Sequence, residues 1–271
     1  MAGTDRRFKD LALPQPAIIL VRPQMGENIG AAARAMLNFG LGEMRLVAPR
    51  DGWPSESARA MASRADEVLE NARLFETTED AIADLHHVYA TTARGREMEK
   101  PVVTPRETAE TGVGQVRTGE RVGILFGGER AGLDNDDVAL ARAVVQVTTN
   151  PAFSSLNLAQ AVLLVSYEWR LAALAAGEAT QPAPAAEGEA GPVANAGQMT
   201  AFLDFLAGEL DQSGFFHRIA DKRPTMLRNI RAMFHRADLR EQEVRTLFGV
   251  VRSLSGHRQG VRGGRTGQKG G

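Results

Sequence analysis

Cysteine is absent from this chain of 271 residues. That excludes disulfides, thiolate nucleophiles and cysteine-ligated zinc or iron–sulfur centres. Histidine is scarce. The five present (His86, His87, His217, His235 and His257) show no H-E-x-x-H or comparable ligand spacing, so no metal is expected. No apolar run follows Arg6, Arg7 and Lys9 near the N-terminus, which argues against a signal peptide. The most apolar stretch, Leu156–Ala176, is interrupted by Gln160, Glu168 and Arg170, so no membrane span is expected and the protein is placed in the cytoplasm. Neither G-x-G-x-x-G nor G-x-x-x-x-G-K-[ST] occurs, which counts against a dinucleotide-dependent oxidoreductase and a P-loop hydrolase. Internal repeats are missing too.

What is present is an ordinary globular composition, 43% hydrophobic and 24% charged, with an uneven charge distribution. The net charge of −1 conceals a C-terminal block, residues 215–271, with 13 basic and 4 acidic side chains. Such a block suits a polyanionic partner, although a solvated basic face is the plainer explanation.

Short apolar runs alternate with helical patterns up to residue 176. Ala17–Val21, Met44–Ala48, Leu74–Glu76, Val88–Thr92, Val122–Phe126 and Val144–Thr148 read as strands. Helical patterns fall at Asn28–Phe39, Ser57–Asn71, Thr78–Leu85, Asn135–Arg142 and Ser155–Ala176. This alternation predicts an α/β domain over residues 1–176, a mainly parallel sheet with helices on both faces. Residues 177–198 are rich in Ala, Pro, Gly and Glu and read as a flexible linker. A small all-α extension with a basic exterior is expected over 199–255, followed by a disordered Gly/Arg-rich tail, 256–271. Arg228, Arg231, Arg245 and Arg252 are the extension's candidate RNA-backbone contacts.

Ligands in α/β sheets bind beyond the carboxyl ends of strands. Three segments stand there. Asn28-x-Gly30-x-x-x-Arg34 opens a helix after the first strand, with Asn28 a candidate N-cap and Arg34 free to meet an anion. Gly127-Gly-Glu129-x-x-Gly132-Leu133 follows Val122–Phe126, its glycines permitting close approach of a ligand. Asn150-Pro-x-x-Ser154-Ser155-Leu156-Asn157 follows the last strand, with the two serines as candidate caps. Each segment alone needs only a cap or a turn to explain it.

Taken in order, the three segments resemble the SpoU/TrmH branch of the SPOUT methyltransferases, and the loop Thr91–Arg96 resembles that family's cofactor loop. The resemblance covers about Ala17–Ala176 and looks closest to the family's TrmJ type. It implies a C-terminal trefoil knot, a homodimer and transfer of a methyl group from S-adenosyl-L-methionine (SAM) to a ribose 2′-hydroxyl of RNA. The implied target is C or U at position 32 of a tRNA anticodon loop, with an rRNA or other tRNA site as the alternative. A non-catalytic RNA-binding protein on the same scaffold is the remaining rival. By position, the implied SAM contacts are Thr91, Thr92, Ala93, Gly127, Val147, Ser154, Ser155 and Leu156. Arg34 matches the residue the family holds to be catalytic and also an RNA contact, supported by Asn28, Glu129, Ser155 and Asn157. Gly128 departs from relatives that carry a basic residue there.

Overall fold

The structure, a computed structural model, describes residues 14–92, 100–178, 191–216 and 221–263. Seven strands form one sheet: β1 (Ala17–Val21), β2 (Met44–Val47), β3 (Arg73–Phe75), β4 (His87–Thr91), β5 (Val102–Val103), β6 (Val122–Gly127) and β7 (Ala143–Val145). Their order is β3-β2-β1-β6-β4-β7-β5, and every pairing is parallel.

The sequence of β1, AIILV, explains its central place. Its residues point alternately to opposite faces, and both faces are covered. Ile18 and Leu20 join one buried cluster, with Met36, Leu46, Phe126, Val162 and Trp169. Ala17, Ile19 and Val21 join the other, with Ile82, Leu85, Leu125 and Leu140. The first cluster is roofed by α1 (Gly26–Asn38), α2 (Glu56–Ala62), α3 (Asp66–Glu70), α5 (Pro105–Arg117) and α7 (Leu158–Glu178). The second is covered by α4 (Thr78–Ile82) and α6 (Asn135–Leu140).

Two elements escape the sequence patterns. One is β5, only two residues long. The other is α5, whose segment contains two glycines and two threonines, poor helix formers. Its signal is the start: Thr104-Pro-x-Glu107 forms a capping box, with the Thr104 hydroxyl accepting from Glu107 N and the Glu107 carboxylate accepting from Thr104 N. Gly112 is required there, because a Cβ would stand 2.5 Å from the Trp169 ring on α7.

The C-terminal extension is α8 (Ala196–Ser213), α9 (Arg223–His235) and α10 (Glu241–Gly263). Phe202, Phe234 and Phe248 build its centre by edge-to-face contacts at 5.2 and 5.3 Å. Several boundaries differ from the sequence reading. The single helix read at Ser57–Asn71 is broken into α2 and α3 by left-handed Ser63 and Arg64, and the last strand stops at Val145 instead of Thr148. Helix α7 passes residue 176, α8 starts at Ala196 on an Asn195 capping box, and α10 continues through Gly256 to Gly263. A glycine inside an established helix weakens it by about 1 kcal/mol without ending it. The remaining linker, 179–190, and tail, 264–271, lie outside the described residues.

The extension is joined to the sheet domain. Ala196 N donates to Leu85 O at 2.8 Å and Gly197 N to Ala83 O at 2.9 Å. Arg142 donates to Asp238 at 2.6 Å, and Arg228 lies 3.6 Å from Asp136 on α6. Buried His87 sits at this seam, accepting from Arg142 at 2.7 Å and meeting Glu120 at 2.9 Å. Burial and the Arg142 charge push its pKa down, against the pull of Glu120.

Candidate active site

Strands β6, β4 and β7 are neighbours, so the loops after them leave the sheet side by side. They enclose a cleft of about 870 Å³. Thr91 and Thr92 line it from the end of β4, and Gly127 from the end of β6. Val147, Ser154, Ser155 and Leu156 line it from the long passage between β7 and α7. These are the residues singled out in the sequence, apart from Ala93, which lies outside the described residues. Phe126, Arg130, Leu133 and Thr149 also line the cleft and were not singled out. Arg130 was in view inside the Gly-rich segment, but nothing in its spacing distinguished it from a surface arginine.

The glycines of this segment have separate reasons. A Cβ on Gly127 would stand 2.1 Å from Gly132 C and from Leu133 N, within the loop's own backbone. Gly132 itself adopts φ +69°. A Cβ on Gly128 would stand 2.3 Å from Arg22 O, so a basic side chain at 128 requires a different path for one of these strands. Arg22 is itself held at φ +51° at the end of β1. Its guanidinium bonds Asp137 and, at 3.0 Å, Asp134, which fastens β1 to the start of α6.

Side chains from all three segments join in one hydrogen-bonded network. The Glu129 carboxylate accepts from Asn28 Nδ2 at 2.7 Å, Gln24 N at 2.8 Å and Met25 N at 3.2 Å. Asn28 Oδ1 in turn accepts from Asn157 Nδ2 at 2.9 Å. Partial burial works against the charge on Glu129, but the Asn28 and backbone N–H donors outweigh it and hold its pKa below the usual carboxylate range. Two expected caps are thereby corrected. Asn28 is the third residue of α1, not its N-cap. Met25 occupies that position without a side-chain bond, and the distant Glu129 satisfies the entry to the helix. Neither Ser154 nor Ser155 caps α7. The chain makes a 3₁₀ turn at Pro151–Phe153, and Asn157 Oδ1 accepts from Ala159 N at 2.9 Å.

Arg34 stands apart from this network. It is exposed, donates to Ser63 Oγ at 3.2 Å and does not line the cleft. Six residues of α1 place it about 9 Å along the helix from Asn28. The extension's arginines are engaged locally. Arg231 pairs with Asp204 at 3.2 Å and Arg245 with Glu241 at 2.9 Å. Arg252 lies over the rings of Phe205 and Phe248, at 5.6 and 5.9 Å. Among the described residues no cluster of three or more His, Asp or Glu could hold a metal ion.

The description "SpoU rRNA Methylase family" matches residues 15–167, which take in all three segments. The chain belongs to the SpoU methylase family. It is 37% identical over 246 residues to the tRNA (cytidine/uridine-2'-O-)-methyltransferase TrmJ of Klebsiella pneumoniae, covering 90% of this chain and 97% of that one. The protein of the same description from Cronobacter sakazakii is 36% identical over 242 residues, with 89% and 96% covered. The crystal structure of TrmJ from Z. mobilis superposes with a TM-score of 0.78 at 50% identity, covering 89% of this chain and 99% of that one. These matches cover about nine-tenths of this SpoU methylase and reach into the extension, whereas the family match ends within α7.

Proposed function

We propose that this chain transfers the methyl group of SAM to a ribose 2′-oxygen of tRNA, at C or U in position 32 of the anticodon loop. The observation that carries the reading is the convergence of three separated segments on one cleft, tied by the Glu129–Asn28–Asn157 network. The threonine and serine hydroxyls beside Phe126 and Leu156 suit a nucleoside-bearing ligand.

SAM supplies a methyl group already activated by its sulfonium. The protein has to position the hydroxyl and favour loss of its proton. A guanidinium is a poor general base, which leaves Arg34 an electrostatic role. It acts as a positive clamp on the developing alkoxide or the neighbouring phosphate. Glu129 keeps Asn28 and Asn157 in a single arrangement at the mouth of the cleft.

A homodimer fits Arg34's place outside the cleft of its own chain, because each Arg34 then serves the partner's cleft. Helix α7 is long and apolar enough to cross a membrane by length and composition alone. One of its faces packs on α1 and α5, while Leu163, Tyr167, Leu171 and Leu174 form an exposed apolar stripe that a second copy would cover. The knotted passage of the chain after β7 belongs to the same reading.

The test is tritium transfer from labelled SAM into bulk tRNA, followed by mapping of the 2′-O-methyl site. Incorporation at a pyrimidine in position 32 is expected. No incorporation at saturating RNA overturns the reading. Incorporation into rRNA alone moves the substrate to the alternative that the family's description suggests.

A further inference from the structure

Among the described residues many arginines already meet carboxylates. Arg22, Arg45, Arg50, Arg106, Arg121 and Arg142 meet carboxylates, as do Arg223, Arg228, Arg231 and Arg245 in the extension. An arginine held by a carboxylate must give up that partner before it gains from a phosphate. In the extension this holds for Arg223, Arg228, Arg231 and Arg245.

The α1–α2 face differs. Helices α1 and α2 run side by side, with Gly30 so close to α2 that a Cβ would stand 2.0 Å from Ala58 O. One turn further on, Arg34 Nη1 reaches Ser63 Oγ, the residue that ends α2. Arg59 lies four residues before Ser63 on the same helix face, and Arg64 follows Ser63 directly. All three arginines are exposed, and among the described residues none of them forms an ion pair. Ser63 and Arg64 both hold left-handed backbone, at φ +47° and +80°, which turns the chain sharply where Arg64 emerges.

We propose that Arg59 and Arg64, beside Arg34, form a docking patch for RNA phosphodiesters. The patch holds the backbone next to the reacting nucleotide while the extension chiefly orients the rest of the RNA. Two uncommitted guanidiniums flank the arginine assigned to the reaction, so a phosphate neighbouring the target hydroxyl meets positive charge without breaking an ion pair. The inference rests on the RNA methyl-transfer reading above.

The experiment compares the full-length protein with Arg59→Gln/Arg64→Asn, since asparagine tolerates the left-handed backbone at 64. RNA binding is measured against salt concentration, along with KM for tRNA and SAM affinity by calorimetry. The expected result is a shallower salt slope, by about 2, and a KM for tRNA raised about tenfold at near-physiological salt, with SAM affinity unchanged. Lysine at both positions should restore the slope. Arg50→Gln, which removes an exposed arginine already met by Asp51 at 2.7 Å, should leave KM within about twofold. An active wild type with an unchanged slope in the double variant overturns the patch. So does a loss of SAM affinity that lysine does not restore. A wild type that binds RNA with the predicted slope change but transfers no methyl group overturns the function reading and leaves the patch standing.

Discussion

Replacing Glu129 by glutamine tests the network at its centre. The carboxylate accepts from three donors: Gln24 N at one oxygen, and Met25 N and Asn28 Nδ2 at the other. An amide has a single accepting oxygen, so one or two of these donors must face an NH₂ group instead. A hydrogen bond to a charged acceptor contributes roughly 1.5–3 kcal/mol. Loss of the negative charge at the start of α1 adds about 0.3–1 kcal/mol. Because the site is only partly buried, the lower half applies, and about 1–2 kcal/mol of stability should be lost at pH 7. For a protein of this size that is a Tm lower by roughly 2–8 °C. The difference should depend on pH in one direction. Glu129 has a folded-state pKa below its unfolded value, so its contribution is complete above about pH 4.3 and disappears as the pH falls through the lower folded value. Calorimetric melting of both proteins between pH 3 and 8 is the assay. Equal Tm at pH 7, or a gap that persists unchanged into acid, refutes the reasoning. The same variant should lose turnover more than SAM affinity, because it loosens Asn28 and through it Asn157, while the rest of the cleft lining stays in place.

Three further outcomes are expected. Gly127→Ala should abolish SAM binding in calorimetry and destabilise the fold by about 1–3 kcal/mol, since its Cβ would collide with the backbone at Gly132 and Leu133. Arg34→Ala should keep SAM affinity and change stability by less than about 0.5 kcal/mol, because Arg34 is exposed and bonds only Ser63 Oγ, yet it should lose methyl transfer in single-turnover assays. His235, with His87, is an acid-sensitive group of the seam. Burial, with Lys100 and Arg231 nearby, holds its pKa at about 4, and its Nε2 is buried without a partner. The folded protein resists protonating it, so stability should fall as the pH drops from about 6.5 towards 4, by up to roughly 3 kcal/mol. His235→Leu should flatten denaturant midpoints across that window, and an unaltered pH profile would count against this assignment.

The central strands were legible because β1 and β6 are apolar on both faces, and β2 and β4 are short, mostly buried runs. The cleft was legible for a different reason. Its lining sits directly after strands, where parallel sheets put ligands. The capping assignments were not. A local rule offers Asn28 and Ser155 as caps, whereas the fold supplies Glu129 from 101 residues away and shifts the start of α7 to Asn157. Helix α5 was hidden because two glycines and two threonines weaken its pattern, and one of them, Gly112, serves packing against Trp169. The ion pairs of the extension were only partly legible. Arg245 and Glu241 stand four apart on one helix, but Arg228 and Arg231 meet carboxylates on other helices, which the linear sequence does not bring together.

The Glu129–Asn28–Asn157 network also limits how this protein can be recombined. A chimera that exchanges the segment after β6 with that of a distant relative imports a new acceptor for the start of α1. An exchange of the segment after β7 imports a new donor to Asn28. Neither graft is self-contained, since each half-bond belongs to a partner left behind in the host. Segments from relatives should therefore transplant successfully only as the full trio, and a library that shuffles them independently should yield folded but inactive proteins far more often than active ones.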